Sequence, residues 1–144
     1  MNNPMKHYQT MKAEHAVSGA DPHRLIVMLM QGVIEKIAAA RGFLAQGKRP
    51  EKAQQISWAI SIMDGLRMSL DKEKGGEIAQ NLDDLYGYME EQLMLANIKD
   101  DTKRLEEVSS LMKTILSGWM EIAPKPSQAR VRAPVSAGMF QVGV

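Results

Sequence analysis

Residues 21–47 read DPHRLIVMLMQGVIEKIAAARGFLAQG, and this stretch decides the fold. Asp21 can accept from the free amides of a helix start, and Pro22 at the first helical position gives up no hydrogen bond. Ile26, Leu29, Val33, Ile37, Ala40 and Leu44 then recur every three or four residues, the period of one buried helical face. Leu25, Met28, Met30 and Ile34 broaden the stripe past that face, as expected of a central helix or of one that also covers a partner. Gly47 supplies the stop.

Working outward, Pro50 opens a second helix with Ile56, Ile60, Met63, Leu66 and Leu70 on one side. Its end is Asp71 to Gly76, where the paired Gly75 and Gly76 are expected to break the helix. A third helix resumes with Ile78, Leu82, Leu85, Met89, Leu93 and Ala96. Asp100, Asp101 and Thr102 offer caps for a fourth, which carries Leu105, Val108, Met112, Ile115, Trp119 and Ile122 before Pro124 and Pro126 stop it. No run shows the period-two alternation of a strand, and connections of a few residues make neighbouring helices antiparallel. The fold class is therefore all-α, an antiparallel four-helix bundle over residues 21–123. A mobile N-terminal arm over 1–20 and a disordered, flexible C-terminal tail over 124–144 are expected to flank it, since neither carries a periodic apolar face.

Composition narrows the function. The 144 residues hold 18 Lys and Arg against 17 Asp and Glu, a net charge of +1 too weak to gather nucleic acid or an anionic membrane. In the tail, Lys125, Arg130 and Arg132 read as a solvated segment. No apolar run approaches a membrane span, so membrane insertion is not expected. The polar start, Met1 to Thr10, has no signal-peptide character, and the chain reads as cytoplasmic. There is no Cys, which removes disulfide and thiolate chemistry.

Catalysis finds little to rest on. His7, His15 and His23 are the only histidines, spaced eight apart, and no i, i+4 pair exists to hold zinc. Glu90-Glu91 and Glu106-Glu107 fall between apolar positions with no His nearby, so a solvated face is expected in place of a di-iron site. Gly75-Gly76 lacks the rest of a phosphate loop. No serine has a His and acid partner placed by the sequence. Neither an enzyme nor a cofactor is expected.

Twelve Met stand against two Phe and two Trp, and flexible, polarisable Met both fills cores and coats surfaces that meet variable apolar partners. Met30 and Ile34, Trp58 and Ile62, Tyr86 and Tyr88, and Leu116 and Met120 lie off the principal stripes. Some broaden the core. An exposed remainder would form a groove suited to an amphipathic helix.

Asp21-Pro22-His23-Arg24-Leu25-Ile26 leading to Met28-Leu29, Ser69-Leu70-Asp71, Gly75-Gly76-Glu77-Ile78-Ala79, Asn81-Leu82 and Leu85-Tyr86-Gly87-Tyr88-Met89 form an ordered series. Ala96-Asn97 and Glu107-Val108 continue it to Trp119. With this series the chain resembles the FliS-type flagellin export chaperones from about Tyr8 to Trp119. It departs from them at Met30-Gln31, where many members read Tyr-Asp, and in its long tail. The resemblance implies a four-helix bundle that binds the C-terminal helical region of flagellin in the cytosol, prevents premature polymerisation and assists delivery to the flagellar type III export apparatus. It also implies contact with an export gate component while loaded, and an N-terminal arm, with Tyr8 at the usual arm tyrosine, able to cover part of the groove. Other flagellar regulators or another secreted subunit are the alternative clients of such an adaptor. The expected partner contacts are Tyr8, Met30, Ile34, Trp58, Ile62 and Tyr86. Deleting residues 126–144 is expected to leave the melting temperature nearly unchanged, because the tail has no apolar face to dock; a large fall in a thermal melt would show that it packs.

Overall fold

The computed structural model describes residues 21–122; the arm over 1–20 and the whole tail over 124–144 lie outside the described residues. Four helices follow in order: α1 (Pro22–Ala45), α2 (Arg49–Met68), α3 (Lys72–Lys99) and α4 (Thr102–Glu121). The connections are two or three residues long, so each helix runs back along its predecessor. α1 packs most extensively against α2, α2 against α3, α3 against α4, and α4 returns to α1, closing the ring. The antiparallel four-helix bundle read from the sequence is the observed fold.

Aspartates set three of the four starts. Asp21 accepts from the Arg24 amide at 2.7 Å, Asp71 from Lys74 at 3.1 Å, and Asp101 from Lys103 and Arg104 at 3.0 and 3.3 Å. Each satisfies donors that have no partner within the helix.

The core runs the length of the ring: Leu29, Val33 and Ile37 from α1, Ile56, Met63 and Leu66 from α2, Met89 and Leu93 from α3, Leu105, Val108 and Met112 from α4. α1 has neighbours on two sides, which is why its buried set extends to Leu25, Val27 and Met30. A Cβ placed on Gly32 would stand 3.3 Å from the Cδ1 of Ile62, so this glycine lets α2 close in on α1.

Two sequence expectations need correction. The Gly75-Gly76 pair bends α3 but does not end it, because Asp71 caps a turn that begins at Lys72 and the chain continues through a kink at Gly76 (φ 52°, ψ −126°). Only glycine adopts that backbone without strain, and a Cβ on Gly75 would fall 2.8 Å from the Cβ of Ala79. Ile78, placed on the core stripe by its spacing, instead points outward and is 72% exposed. Ile78 keeps the phase of that row but sits in the first turn after the kink at Gly76, at the end of the bundle, where little covers it.

Polar clasps hold the ends. At one end the His23 and Trp119 rings stack with centroids 4.9 Å apart and planes 12° from parallel. The His23 Nε2 donates to the Trp119 carbonyl at 2.9 Å, and the Trp119 Nε1 donates to the His23 carbonyl at 3.1 Å. At the other end the buried Lys52 ammonium donates to the Asn97 carbonyl and Oδ1 at 2.8 and 2.7 Å and pairs with Asp100 at 2.7 Å. Asp100 closes α3 in the left-handed region (φ 51°), and its carboxyl is held below the usual range by Lys52, with help from Arg49.

The glycines give opposed predictions. Gly76→Ala is expected to cost about 1–3 kcal/mol through backbone strain. Gly42→Ala, inside α1 with open space around its Cβ position, is expected to add about 0.5–1 kcal/mol. Urea unfolding followed by circular dichroism measures both.

Candidate partner-binding surface

The predicted contact residues separate into layers. Met30 of α1, Ile62 of α2 and Tyr86 of α3 are buried in the core, Met30 and Tyr86 with only 2% of their surface exposed. They lie off the simplest stripe because each helix packs against two neighbours, and a two-sided contact buries a broader arc than a single apolar row. Burial pushes the Tyr86 phenol up to about 12. These three support the bundle from within and are not exposed anchors in the free chain. Ile34 is half-buried and packs onto the core from α1. Trp58 is exposed on α2, and the Lys36 ammonium of α1 sits 3.7 Å from the centre of its ring, a cation–π contact across the α1–α2 seam. Tyr8 lies outside the described residues.

The outer surface carries further large apolar side chains that the stripe reading missed. Met68, Ile78, Met120 and Ile122 are exposed at the end of the bundle where α2 and α4 finish and α3 begins. Met94 and Ile98, one helical turn apart, are exposed toward the opposite end of α3, with Ile98 at 76%. A signal was present in the sequence: Met94 and Ile98 fall on the side of α3 away from Met89, Leu93 and Ala96. Tyr88 is also exposed, its hydroxyl donating to Glu107 at 2.9 Å, and that bond raises its phenol above the ordinary value.

Glu91, Glu106 and Glu107 are exposed, as expected of a solvated face, but Glu90 is not. It turns toward α2, where Arg67 reaches it at 3.3 Å, and its side chain is only 13% exposed. Among the described residues no group of His, Asp and Glu is placed to hold a metal ion, and no helix is long and apolar enough to cross a membrane.

The arrangement is that of an all-helical bundle with a closed core and several large apolar side chains left on its outer faces. The sequence matches the family described as Flagellar protein FliS over residues 3–126. It is 51% identical over 115 residues to the flagellar secretion chaperone FliSB of Pseudomonas aeruginosa, covering 80% of this chain and 91% of that one. It is 45% identical over 124 residues to the flagellar secretion chaperone FliS of Salmonella typhimurium, covering 85% and 92%. The relative of the same name in Bacillus subtilis is 27% identical over 121 residues, covering 84% and 86%. The chain belongs to the FliS family, a family of chaperones and not of enzymes.

The layers predict different responses to one kind of change. Ile62→Asp buries an unpaired carboxylate at the α1–α2 contact and is expected to collapse the thermal transition. Trp58→Ala is expected to cost less, about 1–3 kcal/mol, through loss of the covered part of the ring and of the cation–π contact. Parallel thermal melts of the two variants check the assignment.

Proposed function

We propose that this protein is a cytoplasmic chaperone for flagellin. It binds the C-terminal helical region of flagellin, keeps it from polymerising before export, and assists its delivery to the flagellar type III export apparatus, meeting an export gate component while loaded. The observation that carries the reading is the apolar surface left on a fully packed bundle. The core is closed, yet Trp58 on α2 and Met94 and Ile98 on α3 remain exposed and Ile34 on α1 is half-covered, and membership of a chaperone family supports reading such side chains as client contacts.

The mechanism is sequestration. A segment that self-associates through an apolar helical face loses that ability while the face is buried against another protein, and no nucleotide or metal takes part. Recurring apolar positions of the client helix would insert between the chaperone's outer side chains, Met94 adapting its shape to them. Of the predicted contacts, Tyr8, Ile34 and Trp58 would meet the client directly, while Met30, Ile62 and Tyr86 set the shape of the bundle beneath.

Calorimetric titration of a C-terminal flagellin fragment into the chaperone tests this. Ile34→Asp, Trp58→Asp and Ile98→Asp place a charge where an apolar client face must be desolvated, and at least one is expected to lower affinity about tenfold or more. Ile98→Asp should leave the melting temperature of the free protein unchanged. Unaltered affinity in all three would place the site elsewhere on the bundle, and absence of binding to flagellin by the wild type would favour another secreted client.

A further inference from the structure

The seam between α2 and α3 holds a cluster of charges that does not balance. Arg67 on α2 donates from Nε to Asp83 at 2.7 Å and from Nη1 to Glu90 at 3.3 Å. Lys72, on the near side of the Gly76 kink, donates to the other oxygen of Asp83 at 2.8 Å. Asp83 therefore takes the close contacts of both cations, and its carboxyl is held below the ordinary range by Arg67 first and Lys72 second. Glu90 is left with the far corner of a shared guanidinium. Its Oε2 is buried and accepts no hydrogen bond, and the group of α2 that faces it besides Arg67 is another carboxylate, Asp64. Three acids thus meet two bases in a half-buried seam, and an ionised Glu90 would face Asp64 with little water to screen the repulsion.

We propose that Glu90 carries a proton at neutral pH as a structural part of the α2–α3 seam, and that loss of this proton loosens the seam. A protonated Glu90 donates to Asp64, removes one negative charge from the cluster and leaves Arg67 to Asp83. Desolvation, then the hydrogen bond to Asp64 and its negative charge, push Glu90 up to about 8, against the opposing pull of Arg67. The sign follows from linkage. An acid whose folded value lies above its unfolded value, near 4.5, favours the fold fully below that unfolded value and loses this support as pH rises to about 8.

Carbon-13 NMR titration of the Glu90 carboxyl in the wild-type chain tests the proton directly, with a midpoint well above the ordinary carboxylate range expected and a midpoint inside it overturning the proposal. Urea unfolding between pH 5.5 and 8.5 tests the consequence. The wild-type unfolding constant is expected to rise about tenfold or more across that window, and Glu90→Gln, which imitates the protonated acid, to remove most of the rise. A rise of the same size in Glu90→Gln would assign the pH dependence to other groups and sink the structural role. Asp64→Asn, which takes away the facing charge, should lower the NMR midpoint of Glu90, and an unmoved midpoint would contradict the pairing even if the glutamine variant failed to fold.

Discussion

The close approach of α1 and α2 underlies everything else in this bundle. It is made possible where Gly32 presents no side chain to Ile62, and on either side of that point Met30, Val33 and Ile37 meet Ala59, Ile62, Met63 and Leu66 in one buried cluster. Side chains packed at this density contribute through apolar area removed from water and through many small dispersion contacts. With α1 and α2 fixed together, α3 and α4 need only cover the remaining open side. The looser α2–α3 and α3–α4 seams then carry the polar work, which is where the Arg67 cluster and the Arg104 contacts to Gln92 and Asp101 are found.

That division bears on the residues by which the chain is likened to its family. Asp21 caps α1 while His23 locks it to α4. Ser69 donates to the Leu66 carbonyl at 2.6 Å as α2 ends, and Asp71 caps α3. Gly75 and Gly76 bend α3, and Asn97 receives Lys52. Much of the series by which the chain resembles its family therefore fixes corners and clasps. The outer apolar residues Met94 and Ile98 are not in it.

The helices and their directions were legible in the sequence because capping and periodicity are local properties, and both were present at Asp21-Pro22, Asp101 and the three-four spacing of α4. The depth of individual side chains was less so. Met30, Ile62 and Tyr86 look peripheral on a single stripe but are interior once a helix has two neighbours, and that number is set by tertiary arrangement. Ile78 fails for a different reason, since its spacing belongs to the core row but it stands in the first turn after Gly76, at the end of the bundle, and periodicity does not tell where the covering neighbours stop. Glu90 sits beside the exposed Glu91, and only the position of α2 separates the two environments.

The reciprocal contact of His23 and Trp119 has a mechanical consequence. It places the beginning of α1 and the finish of α4 side by side, so a force drawing residues 21 and 122 apart acts across the helix axes and not along them. Such a load meets contacts one at a time, in the manner of a zipper, and encounters the ring stack and its two hydrogen bonds first. The domain should yield at low force from its own ends once that contact parts, whereas traction between residue 21 and the 100–101 connection, at the far end of α4, would have to shear the α1–α4 contact at once.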